Sequence, residues 1–326
     1  MFLDKLSIFC LLSLMMYFIL LLNSSSIFIQ WLFMEFCTIL LISMINFKSF
    51  NKIVSIIYFM ISSISSLLLI MFITINFNQL FLMKMMNLIL LMSMFLKIGM
   101  FPFCFWMIYI YKISSWKQIF IISTFMKFIP IYFFSSLIIM TPIFLYFLIF
   151  NNFFISLYTN LEFSMKKLFG CSSIFNSMFF IIIIQFNKTV FMLFFMIYIL
   201  IFFILSFMLE FYKIKNNFFN FSKKSFYLFI IMLFIYSSFP LFLTFMMKWE
   251  LIYLLNLYLG NNIIFFLLLS VFIMVWNYFI MFKLLILKFK FCKNNYYMND
   301  ELFLMNLFTY MIIFMYLMMF IMFNLI

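Results

Sequence analysis

Long apolar runs alternate with short polar breaks along the whole chain. No stretch shows the apolar–polar alternation over about ten residues that a lipid-exposed barrel strand requires. The pattern predicts about eleven helices, over 6–22, 27–46, 53–75, 86–110, 116–139, 142–159, 169–186, 189–212, 224–257, 262–286 and 303–325. The runs lie near or above the roughly 20 residues that carry a helix across a bilayer. They read as one all-α polytopic membrane domain over 1–326. A first charged helix group covers 27–139, a second covers 142–286, and a C-terminal transmembrane helix covers 303–325. Between the fifth and sixth helices only Thr141-Pro142 punctuates the apolar sequence. The first run begins almost at Met1 and lacks a small-residue cleavage site, so it reads as a span and not as a removable signal.

Two runs are expected to be discontinuous. Run 86–110 carries Gly99 and then Pro102, and a proline removes one backbone donor and crowds the carbonyl four residues back. Run 224–257 is too long for one simple crossing and contains Ser237-Ser238-Phe239-Pro240. Freed backbone groups at such breaks must be satisfied by protein or water. Pro130, three residues after Lys127, suggests a distorted turn in a third run.

Composition makes membrane residence the governing fact: 70% of the 326 residues are hydrophobic and 8% are charged, too few to cover a soluble core. The chain has 60 Phe, 33 Met and 20 lysines but no Ala and no Arg, with 3 Gly and 4 Pro. Phe, Ile, Asn and Lys can use codons of A and T alone, and abundant Met fits a code in which ATA also reads as Met. An organellar, mitochondrial gene follows. The same bias makes many individual Phe and Met choices uninformative.

The net charge of +13 is a matter of topology. Lys5 and the loops after even-numbered helices hold fourteen lysines, whereas the other side holds Lys84 and Lys188. The positive-inside rule then puts the N-terminus on the matrix side and the C-terminus opposite. Lysines between spans, without an aromatic groove, leave no case for nucleic acid. Five scattered Cys, no His and no glycine-rich phosphate loop leave no metal, haem or nucleotide motif. No Ser, Cys or Asp has an evident base partner for covalent catalysis.

The candidate chemistry lies in charges inside the spans. Lys97, Lys127 and Lys248 sit deep in apolar runs, and Glu35 lies in the middle of 27–46. A charged side chain at mid-bilayer costs about 2.5–3.5 kcal/mol on insertion scales unless it is paired, hydrated or neutral. Two readings stand for each lysine. It can hold helices together in a salt bridge, or it can carry a proton, because desolvation favours the neutral amine and a nearby counter-charge favours the ammonium. Glu35 can supply that counter-charge to Lys97. Lys283 lies near a helix end and can snorkel. Ser62, Ser63, Ser65 and Ser66 read first as a helix-packing surface, and otherwise as the wall of a hydrated path.

Leu96-Lys97-Ile98-Gly99-Met100-Phe101-Pro102-Phe103-Cys104-Phe105-Trp106 is similar to a KxGxxPFHFW stretch. Thr124-Phe125-Met126-Lys127-Phe128-Ile129-Pro130 is similar to TWQKxxP. Lys167-Leu168 with Ser172-Ser173-Ile174, Phe239-Pro240 with Lys248-Trp249, and Trp31 with Glu35 complete the set. In this order and spacing, over roughly 25–290, the sequence resembles the subunit 2 family of mitochondrial NADH–ubiquinone oxidoreductase, respiratory complex I. Cys104 stands where that family has His, and Asn176 stands near another such position.

The resemblance implies an antiporter-like subunit of the inner-membrane arm that translocates protons. Glu35 and Lys97 would form a coupling pair, Lys127 the central carrier and Lys248 the terminal site. NADH, FMN, iron–sulfur clusters and ubiquinone would be used by other subunits, with no cofactor on this chain. Its partners would be neighbouring antiporter-like subunits and membrane lipids, including cardiolipin. The alternatives are an independent proton or cation transporter or channel, and a structural arm subunit without its own proton path.

Overall fold

A computed structural model of the chain describes residues 5–46, 52–78, 83–138, 141–161, 164–211, 223–239, 242–258 and 261–291, with 309, 310, 312, 313 and 316 beyond them. The described residues are helical apart from short connections, as they must be where lipid offers the backbone no hydrogen bonds. The chain divides into two compact units, Met1–Thr141 and Pro142–Ile326.

The first unit holds α1 (Lys5–Asn23), α2 (Ile27–Asn46), α3 (Ile53–Asn78), α4 (Met83–Ile98), α5 (Cys104–Ile113), α6 (Trp116–Ser123) and α7 (Phe125–Ser135). Helix α7 is its core: Met126, Phe128, Ile129, Ile131, Phe133 and Phe134 are all buried. It packs on both α2 and α4, while α3 lies against α2 and α4. Outward faces of α1 and α3 present Phe9, Leu12, Ile56, Phe59, Ile64 and Leu67, apolar and exposed as a lipid face requires. Inward, Ser62 and Ser65 are buried. The hydroxyls of Ser62, Ser63, Ser65 and Ser66 each donate to the carbonyl three residues back, which is helix-packing behaviour.

Two local features shape this unit. Gly99 closes α4 at φ +76, and the Gly99 and Met100 amides both donate to the Phe95 carbonyl. A left-handed glycine that ends a helix in this way lets the chain turn without a Cβ penalty. Helix α6 starts with a capping box. Ser115 Oγ accepts from the Gln118 amide at 3.5 Å, and Gln118 Oε1 accepts from the Ser115 amide at 2.9 Å. Gln118 Nε2 also donates to the Ile45 carbonyl at 3.1 Å, fastening α6 to the end of α2.

The second unit holds α8 (Pro142–Thr159), α9 (Met165–Phe186), α10 (Lys188–Phe211), α11 (Lys223–Tyr236), α12 (Leu243–Tyr258) and α13 (Asn261–Phe291). Helix α9 is buried along most of its length and touches α8, α10 and α12, and α13 closes against α8 and α12. Asn277 on α13 donates through Nδ2 to the Ser156 carbonyl at 3.1 Å and to Thr159 Oγ1 on α8.

The helix pattern needs correction at several points. Among the described residues seven helices, not about eleven, are long and apolar enough to cross a membrane on their own. The reason is interruption. Runs 86–110 and 224–257 are each two shorter helices, α4 with α5 and α11 with α12, and neither half reaches the crossing length alone. Within the first run, Leu12–Asn23 counts as a shorter apolar helix among the described residues. Most of 303–325, and Pro240 with it, lie outside the described residues. The distortion expected at Pro130 falls instead at Thr124 (φ −101, ψ −88), and Pro130 itself sits inside α7. Helix α9 takes Lys166 and Lys167 into its first turn, and α13 runs on through Lys288 and Lys290. Lysine is a good helix former, so a polar boundary need not be a helix boundary.

Candidate functional site

In the first unit the apolar packing that buries α4 also buries Lys97, whose side chain is 1% exposed. An ammonium placed there needs a counter-charge, and α2 provides it: Lys97 Nζ donates to Glu35 Oε1 at 2.5 Å. The Glu35 side chain is 20% exposed, so one end of the pair is open while the other is sealed. The second carboxylate oxygen accepts from buried Thr38 at 3.3 Å. Lys97 stands two residues before the Gly99 turn, which places the pair beside the interruption between α4 and α5.

Unmet donors are also buried in this unit. Tyr58 is 1% exposed and lies within electrostatic reach of Glu35. Its hydroxyl and the indole nitrogens of Trp31 and Trp106 have no hydrogen bond among the described residues. The Tyr58 and Trp106 rings sit 6.0 Å apart. Buried donors of this kind are the usual hosts of ordered water. Cys104, in the position where the resembled family has His, is buried as well.

Lys127 is 3% exposed on α7, the helix that packs on both α2 and α4. One unit therefore contains Glu35, Lys97 and Lys127. Lys248 belongs to the other unit, on α12. Its ammonium donates to Ser238 Oγ at 2.5 Å and lies over the Phe175 and Phe179 rings of α9, 4.9 Å and 5.3 Å from their centroids. Cation–π contact of this sort offsets part of the cost of desolvating a charge. Ser238 adopts φ 57, a left-handed conformation that only the turn between α11 and α12 explains.

Sequence reasoning misses the partners that carry no charge. Thr38 and Tyr58 are ordinary letters in apolar runs, and Ser238 is legible as part of a break but not as the acceptor for Lys248. Only the pairing of Glu35 with Lys97 was anticipated by the sign and depth of the residues.

Charges beside two interrupted helices, in a chain whose described residues are helical and hold several membrane-crossing segments, define a polytopic membrane protein of the antiporter-like class. A solved chain of the respiratory complex I from Thermus thermophilus with bound aureothin has the same fold, at a TM-score of 0.65 and 12% identity over 78% of this chain and 64% of that one. The chain thus spans somewhat less than two thirds of that structure's length. No protein-family model matches it. The NADH-ubiquinone oxidoreductase chain 2 of Apis mellifera ligustica is 42% identical over 283 residues, 86% of this chain and 85% of the relative. The chain belongs to the NADH-ubiquinone oxidoreductase chain 2 family.

Proposed function

We propose that this chain is a proton-translocating subunit in the membrane arm of NADH:ubiquinone oxidoreductase, in the mitochondrial inner membrane. The observation that carries the reading is the Lys97–Glu35 pair, 2.5 Å apart with its lysine end buried, next to an interrupted helix. A buried pair is a poor way to stabilise a fold, because desolvation offsets most of its attraction. It is a good way to hold a proton whose release depends on how close the carboxylate stays. Withdrawing Glu35 leaves the ammonium uncompensated and favours release to Lys127, and its return favours uptake. Lys248, held among the described residues by a serine and two rings, is the terminal site.

Electron transfer from NADH through FMN and iron–sulfur clusters to ubiquinone belongs to other subunits, and neighbouring membrane-arm subunits and lipids such as cardiolipin surround this one. The chain crosses the membrane about eleven times when 303–325 is included, with its N-terminus on the matrix side. The concentration of lysines at one set of span ends, Lys48, Lys52, Lys112, Lys117, Lys166 and Lys167 among them, against Lys84 and Lys188 at the other, supports that orientation.

The test is Lys127→Met in the assembled complex, measured as proton translocation driven by NADH oxidation in sealed membrane vesicles. Native electrophoresis reports assembly, and NADH oxidation by a water-soluble acceptor reports the electron-input module. At normal assembly and normal electron input, translocation is expected to fall at least tenfold. Unchanged translocation overturns the reading and leaves a structural subunit.

A further inference from the structure

We propose that the hydroxyls of Ser172, Tyr198, Tyr236 and Tyr278 form a buried relay that delivers protons to Lys248 from the Lys166–Lys167 end of the second unit. The inference rests on the proton-translocating reading above and adds four uncharged residues to it.

The four come from four helices, α9, α10, α11 and α13, and converge at one place. Ser172 Oγ and the Tyr236 hydroxyl lie 2.9 Å apart, and either can donate. The Tyr236 ring is 6.3 Å from that of Tyr198 and 6.1 Å from that of Tyr278. All four residues are at most 5% exposed. The Tyr278 hydroxyl approaches from α13 without a hydrogen bond of good geometry. In a chain with 60 Phe, a phenylalanine at each tyrosine position would fill the same volume and bury no hydroxyl. Five tyrosines are buried among the described residues, namely Tyr58, Tyr111, Tyr198, Tyr236 and Tyr278, and three of the five meet here. Burying polar oxygens without full hydrogen bonding is unfavourable, so their concentration at one point calls for water, for a proton, or for both.

Position along α9 gives the relay its direction. Phe175 and Phe179, the rings under the Lys248 ammonium, lie three and seven residues beyond Ser172, about 4.5 to 10 Å along the axis. Lys166 and Lys167 lie five to six residues before it, about 8 to 9 Å the other way. The hydroxyl cluster is therefore between them. Tyr236 ends α11 two residues before Ser238, whose Oγ accepts from Lys248 and donates to the Ser237 carbonyl at 2.6 Å. A small apolar cleft beside the first turn of α9 reaches the ring of Tyr278. Its lining is apolar, formed by Met165, Leu168, Leu233 and Met281 with the ring of Tyr278.

A hydroxyl both donates and accepts, which is what proton hopping requires. A proton arriving on water from the Lys166–Lys167 end bonds to the Tyr278 oxygen as the Tyr278 proton leaves for the next oxygen. Each such transfer forms one O–H bond and breaks one, through Ser172 and Tyr236 with water in the gaps. Tyr198 lends a further oxygen to the cluster. Every hydroxyl stays neutral, and the sum is one proton moved from water at the Lys166–Lys167 end to the free amine of Lys248. Rotation of the hydroxyls resets the chain.

Tyr236→Phe and Tyr278→Phe each remove one oxygen and keep the ring packing. In the assembled complex each is expected to lower NADH-driven proton translocation at least threefold, and to raise the solvent deuterium isotope effect on what remains. A purely structural role would move the amount of complex but not the isotope effect. Should Tyr236→Phe reduce assembly, Tyr278→Phe decides alone, since its hydroxyl makes no hydrogen bond of good geometry among the described residues and its loss disturbs the packing least. Lys248→Met is measured alongside. If it abolishes translocation while both tyrosine variants pump with unchanged rate and isotope effect, the relay is overturned and the proton-translocating reading stands. If Lys248→Met also pumps normally, the terminal role of Lys248 falls and the relay with it.

Discussion

Lys97 and Glu35, 62 positions apart in the chain, meet at 2.5 Å between α4 and α2. Each is the other's reason for being tolerated in the membrane. Removing one partner leaves a buried charge uncompensated, which in proteins costs about 3–5 kcal/mol, whereas replacing both by apolar residues can be neutral. Glu35→Leu is therefore expected to lower the temperature at which the solubilised complex loses activity, and Glu35→Leu with Lys97→Leu to recover most of that loss. Neither variant is expected to translocate protons. Thermal inactivation and vesicle acidification, measured on the same preparations, separate the two effects.

At the α4 end, Gly99 has φ +76, and a Cβ there would stand 3.0 Å from Met107 Cβ. Gly99→Ala combines a disfavoured backbone conformation, of order 1–3 kcal/mol, with a steric clash. Less assembled complex is expected on native gels. Met107→Ala should not rescue it, because the nearest atom is the Cβ that alanine keeps.

Ser238 offers a cleaner separation of backbone from chemistry. Its φ of 57 is costly for an L-residue by about 1–2 kcal/mol, and glycine removes that cost. Ser238→Gly also removes the oxygen that accepts from Lys248. Assembly at or above the normal level with translocation slowed several-fold is the expected result. Normal translocation would mean that the Lys248–Ser238 contact is only a resting place.

Asn277 provides the structural contrast. It ties α13 to Ser156 and Thr159 of α8. Side-chain hydrogen bonds between membrane helices contribute about 0.6 kcal/mol on average and up to about 1.7. Asn277→Leu is expected to lower thermal resistance by that order and to leave translocation per assembled complex unchanged.

Residue type alone determined a good deal here. Apolar run length specified helices, because lipid leaves the backbone no other partner. Gly99 and the Ser237-Ser238-Phe239-Pro240 stretch marked the two interruptions, since backbone-breaking residues act locally. Depth and sign singled out Glu35, Lys97, Lys127 and Lys248. Local rules failed where a neighbour in space decides. The break before Lys127 sits at Thr124 rather than at Pro130, and Lys166, Lys167, Lys288 and Lys290 belong to helices rather than to loops.

What only the tertiary structure decided is which oxygen meets which nitrogen. Thr38 on Glu35, Ser238 on Lys248, and the meeting of Ser172 with Tyr236 depend on helix rotation and packing, and hydroxyls in an apolar run leave no mark in hydropathy. A charge in a membrane is costly enough to announce itself in one dimension. A hydroxyl costs little in water or at an interface, and its role is settled by whatever atoms three dimensions place within about 3 Å of it.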